Sequence, residues 1–152
     1  MKPWILVGFA VAFAAAPAGA QALKIGTFHK TSVVVAYYRS PFWSDMLSEK
    51  RKELQTAKAA NDAGRIKELE AWGGKEQERA EKQLAGEASI DNIIEALKPA
   101  FPEIARKAGV AAIAPDLPYA DSRLQTVDVT SLLLDWLNAD AQTRAMIAGL
   151  PK

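Results

Sequence analysis

The chain has 152 residues, 19 of them basic and 18 acidic, with one histidine and no cysteine. That near balance leaves no broad basic footprint for nucleic acid. The missing cysteines exclude a disulfide framework, a thiol nucleophile, a thiolate metal site and a lipid-anchored amino terminus.

The amino terminus reads as a secretory signal. Met1-Lys2-Pro3 is a short positive start, "WILVGFAVAFAAA" is an apolar run, and Ala18-Gly19-Ala20 supplies the small-x-small pattern that a signal peptidase cuts. Cleavage before Gln21 is expected, so residues 1–20 are set apart as a signal peptide. It would remove Lys2 and no acidic residue, leaving a mature chain without net charge. The apolar run is short for a membrane anchor, and no other stretch is long enough to cross a bilayer. Roughly 130 residues then remain, the length of one domain.

In chain order, "ALKIGTF" alternates apolar and short polar residues as a strand does. "TSVVVAYYR" fits either a strand, by its β-branched run, or one or two helical turns. Ser40-Pro41 is a helix start, with Ser40 as cap and Pro41 at the first helical position. Strong helix formers follow from Phe42 to about Ala60, with a thin stripe at Trp43, Leu47, Lys50, Leu54 and Ala57. Asn61 can close this helix and Asp62 can cap the next.

From Ile66 a single 3,4 frame passes through Leu69, Gly73, Glu76, Ala80, Gln83, Glu87, Ile90, Ile94, Leu97, Phe101, Ile104 and Ala108, or about six heptads. Its ends are apolar and its middle is small or polar. Gly73-Gly74 and Gly86 weaken the helix, Pro99 and Pro102 kink or break it, and Ser89 can cap a fresh start. Gly109 ends the helical region. "VAAIAP" reads as a buried strand, Leu117 to Ala120 as a second short one, and Asp128 or Thr130 as the cap of a final Leu-rich helix. "NADAQTRAMIAGLPK" continues as a short helix or a frayed tail.

These elements predict an α+β fold. A small β body carries an inserted antiparallel helical hairpin, a coiled-coil arm at about 41–88, between body segments 21–40 and 89–138, with a tail at 139–152. Two thin-seamed helices with charged faces suit an arm that projects into solvent. A sheet of two or three short strands is undersized alone, which calls for partner subunits.

"LKIGTF", "LQTAKAANDAGRIKELE" and "GVAAIAPDLPYADSRLQTVDVTSLLLDWL" together resemble the Skp/OmpH family of periplasmic chaperones. The most specific part is Tyr119-Ala120-Asp121 followed by Val127-Asp128-Val129-Thr130, and the likeness covers most of residues 23 to 138. The resemblance implies a homotrimer with a shared β body and three arms around a cavity. That cavity holds unfolded outer-membrane proteins in the periplasm without ATP. Three features depart from the family pattern. The mature chain is neutral where the family is basic. The outgoing helix, about 30 Å long at 1.5 Å per residue, is short for such an arm. The return leg is about twice as long as the outgoing one, so its part from Ile90 onward is assigned to the body.

The client-contact candidates are Phe42, Trp43 and Trp72, because exposed aromatics make good non-specific contacts. Packing against the body competes with that role for Phe42 and Trp43, and seam packing competes with it for Trp72. His29 next to a strand end reads as structural. No HExxH, GxSxG, GxGxxG or phosphate-loop motif is present, so neither an enzyme nor a cofactor, metal, nucleic-acid or more than peripheral membrane role is expected. The alternative to a holdase is a non-catalytic oligomeric scaffold that binds one folded envelope partner.

Overall fold

The computed structural model describes residues 23–115, 117, 119–121 and 123–150. The expected signal peptide and its cleavage site lie outside the described residues. Strand β1 (Lys24–Thr27) leads into helix α1 (Lys30–Tyr38), then α2 (Pro41–Ala59) and α3 (Ala63–Leu84). Helix α4 (Asp91–Leu97), a 3-10 turn (Lys98–Ala100) and α5 (Phe101–Ala108) follow. Strands β2 (Ala112–Ala114) and β3 (Gln125–Asp128) and helices α6 (Thr130–Trp136) and α7 (Ala141–Ala148) complete the chain. The fold is α+β, mostly helical, with one three-stranded parallel sheet in the order β2-β1-β3.

β1 is the middle strand, with Gly26 opposite both Ile113 and Val127. The second short strand therefore lies at Gln125–Asp128, which corrects the expected strand at Leu117 to Ala120. β2 and β3 lie on opposite sides of β1 and both run parallel to it. Residues 117 and 119–121, between the two in sequence, are not in a strand.

α1 settles the ambiguous "TSVVVAYYR" as helix. Its residues Ser32 to Tyr37 are all buried, so β-branched side chains that would suit a strand are instead enclosed by neighbouring helices. Tertiary packing here overrides local propensity. The helix start is fixed by His29, whose Nδ1 lies 2.8 Å from the Ser32 hydroxyl and accepts the Ser32 amide at 3.3 Å. The His29 amide itself donates to Thr130 Oγ1 at 3.0 Å, tying the α1 start to the α6 start. His29 thus has a structural part, as its position after the strand suggested.

The apolar core joins Phe28, α1, the segment from Ile90 to Ile104, and Val129 to Leu137. Ile113 and Val127 pack on it from the two outer strands. Between Ile90 and Ile104 the buried positions are Ile90, Ile93, Leu97, Ala100 and Ile104, while Ile94 and Phe101 are only half-buried. The single heptad frame is therefore re-phased beyond α3. The cause is local: the chain leaves α3 through Gly86 in the left-handed region (φ 76°). It then turns through a 3-10 segment containing Pro99, and Pro102 lies in the first turn of α5.

The cap position of α4 is Ile90, not Ser89, whose hydroxyl accepts the Asp91 amide at 3.2 Å from one residue further out. Gly109 ends α5 in the left-handed conformation, as a closing glycine should. Asp128 accepts the Thr130 amide at 2.8 Å at the α6 start. The tail forms a docked helix: Asp140 caps α7 by accepting the Thr143 amide at 2.7 Å, and Arg39 Nε reaches the buried Thr143 hydroxyl at 3.0 Å. Among the described residues no helix is long and apolar enough to cross a membrane.

Candidate functional site

Helices α2 and α3 and their attachment form the candidate site. Ser40 is almost fully buried; its hydroxyl donates to the Tyr37 carbonyl at 2.7 Å and accepts the Trp43 amide at 3.3 Å. With Pro41 next in the chain, this fixes where α2 leaves α1. At the far end Asn61 takes a positive φ of 54° and Asp62 accepts the Arg65 amide at 2.9 Å, so only residues 60–62 separate α2 from α3. Both capping expectations hold.

The seam between α2 and α3 is thin. Ala57 and Leu69 are buried, while Trp43, Leu47, Lys50, Leu54, Ile66 and Trp72 are half-buried. Charged pairs do the rest of the bridging. Arg65 pairs with Glu53 across the seam and with Glu68 at 2.7 Å, and Lys58 reaches Glu70 at 3.7 Å. Lys50 sits 6.0 Å from the Trp72 ring centroid and 2.8 Å from Glu53. Hydrogen bonds from Lys50 and then Arg65 hold the Glu53 carboxyl below the ordinary range. These exposed pairs set geometry more than stability, because solvent and salt screen them.

Gly73 and Gly74 do not interrupt α3, which runs unbroken from Ala63 to Leu84. A Cβ at either would meet nothing within 4 Å, so both lie on an open side of the helix.

At the root, four rings meet. Tyr37 lies 5.2 Å from Tyr38, 5.9 Å from Phe42 and 5.8 Å from Trp43, and Tyr38 stands edge-on to Trp43 at 4.8 Å. Burial raises the phenol pKa of both Tyr37 and Tyr38. For Tyr37 the neighbouring Tyr38 and Glu76 push the same way, and for Tyr38 a hydrogen bond with Asn92 works against burial. Of the sequence candidates, Phe42 is 47% exposed and open to contact. Trp43 packs against the core, and Trp72 lies in the seam beneath Lys50. The structure gathers Phe42 and Trp43 into one cluster; Trp72 stands on the other helix.

Three participants do not stand out in the sequence analysis. Tyr37 and Tyr38 fall in the ambiguous segment, although two adjacent tyrosines before a helix cap are a visible signal. Gln83 belongs to the small or polar middle of the heptad frame, yet it is 3% exposed and its side chain makes three hydrogen bonds.

Elsewhere, Thr27, His29, Thr126 and Asp128 border a 450 Å³ crevice at the carboxyl ends of the strands. Its imidazole and carboxylate are already engaged as helix-start partners. Among the described residues no group of three or more His, Asp or Glu is placed to hold a metal ion. Compared with known proteins, the chain matches no family model, no curated protein and no solved structure.

Proposed function

We propose that the chain is an ATP-independent holdase of the periplasm, of the Skp/OmpH type, released from its signal peptide and acting on unfolded outer-membrane proteins. In this reading α2 and α3 are an antiparallel hairpin that projects from the body as an arm. Subunits, three in the family pattern, assemble through the β body and enclose a client between their arms. The observation that carries the proposal is the apolar core itself. Among the described residues, α2 beyond Trp43 and all of α3 contribute nothing to it. Some forty residues of helix lie outside that core, held to it on the α3 side by Gln83, and most of their surface stays open to a partner. Phe42 at the root supplies an accessible aromatic contact.

One observation favours the rival scaffold reading. The open groove of 630 Å³ beside the α2–α3 turn has Thr56, Ala57 and Ala60 in its lining and Glu49, Lys52, Glu53, Asp62 and Arg65 around them, charges of both signs that would suit one matching folded partner.

An aggregation assay separates the two. A urea-unfolded outer-membrane barrel protein is diluted into buffer with increasing amounts of the chain, without nucleotide, and light scattering is followed. A holdase suppresses scattering, with saturation near three chains per client. No suppression at large excess of folded protein contradicts the holdase and leaves the scaffold.

A further inference from the structure

The arm is attached to the body in an unusual way. Its two covalent connections are short, Arg39-Ser40 on the outgoing side and Ala85 to Ser89 on the return. At the start of α2 Trp43 packs on the core, but the contact that α3 makes with the body is polar. Gln83, in the last turn of α3, accepts the Tyr38 hydroxyl at 2.8 Å through Oε1. Its Nε2 donates to the Ser89 carbonyl at 2.5 Å and to Asn92 Oδ1 at 2.6 Å. One arm side chain thus bridges α1, the return loop and α4. Above it on the same helix, Glu76 and Arg79 pair at 2.7 Å and act electrostatically on Tyr37. A polar helix face therefore covers the aromatic root, where an apolar stripe would be the ordinary way to fasten a helix to a core.

We propose that Gln83 is a latch, and that α2 and α3 swing together about the Ser40 and Gly86 joints when it opens. The physical basis is the contrast between the two kinds of contact. Breaking an apolar contact exposes surface to water in proportion to its area. A closed hydrogen-bonded contact can instead be exchanged bond for bond with water, but is costly when only partly made. The Gln83 amide therefore favours two arrangements, fully closed and fully hydrated. Gly86, at φ 76° with nothing within 4 Å of a would-be Cβ, gives the return connection room to turn. Opening would uncover Tyr38 and the edge of Trp43 while the core from Ile90 to Leu137 stays packed. The latch stands on this geometry alone and does not depend on the holdase reading.

The cysteine-free chain suits a direct test. Spin labels at Ala59→Cys on the arm and Ala145→Cys on α7, both exposed positions, report the arm-to-body distance by pulsed electron resonance. The latched protein gives one narrow distance distribution. Gln83→Ala and, separately, Tyr38→Phe (which deletes only the hydroxyl) are expected to add a second population and roughly double the width of the distribution. The circular dichroism of the body should not change. A distribution already broad in the parent, or one that stays narrow in Tyr38→Phe, overturns the latch. Tyr38→Phe decides the matter if Gln83→Ala does not fold.

Discussion

Leu97→Ala is expected to lower the unfolding free energy by about 2–5 kcal/mol. Leu97 has no exposed surface and closes α4 where the chain turns into the 3-10 segment. It belongs to the same core as Ile93, Ala100, Val33 and Leu133. The helices around it are pinned at both ends, by the Gly86 turn and by the proline turns, so the hole left by truncation cannot easily collapse. A domain of this size has only about 5–15 kcal/mol to lose. Urea unfolding should show a lower midpoint with an unchanged slope. Leu54→Ala, at a half-buried place in the arm seam, should move the midpoint far less. Equal effects would mean that arm and body share one core after all.

Gly26→Val should destabilise by about 1–3 kcal/mol through overpacking. Gly26 is buried in the middle strand, opposite a residue of each neighbour. A Cβ there would lie 3.0 Å from Val129 Cγ1, 3.2 Å from Ile113 Cγ1 and 3.3 Å from Val110 Cγ2. Val129 has no exposed surface and precedes α6 directly, so it has nowhere to retreat. Gly26→Ala adds one carbon and should cost less than Gly26→Val. A melting temperature unchanged by Gly26→Val would show that the sheet does not press on the core as described. The role of this glycine is steric: its backbone is ordinary strand, and only the side-chain space forbids a larger residue.

Much of this architecture is legible in the sequence because local chemistry dictates it. Ser40-Pro41, Asn61-Asp62 and Gly109 each announce an element boundary, and each sits at one. The α2 stripe from Trp43 to Ala57 matches the half-buried and buried positions, since one helix keeps one phase. The longer frame from Ile66 failed at its far end because a heptad count assumes an unbroken helix. Gly86, Pro99 and Pro102 reset the phase, so that Ile93 and Ala100 turned inward where Ile94 and Phe101 had been expected. α1 was undecidable for a related reason: a helix buried on every side carries no periodicity to read. β3 was misplaced because a four-residue strand is recognised by what it pairs with. The register that puts Val127 opposite Gly26 is a long-range fact.

The candidate site divides in the same way. Phe42 and Trp43 were found as aromatics next to a cap. The value of Gln83 lies in three partners from three segments, which no local pattern displays. The three strands pair within one chain, and the helices cover the face bearing Ile113 and Val127. A small sheet is thereby supported from one side without added strands, while the edges of β2 and β3 are where the proposed assembly would form.

Native-state hydrogen exchange tests the central claim, that α2 beyond Trp43 and all of α3 contribute no side chain to the apolar core. Amides of α2 from Lys50 to Lys58 and of α3 from Leu69 to Lys82 should exchange through openings well below the global unfolding free energy. Those of Val34, Ile93 and Leu133 should require global unfolding. A single opening free energy common to α2, α3 and the core would contradict the account.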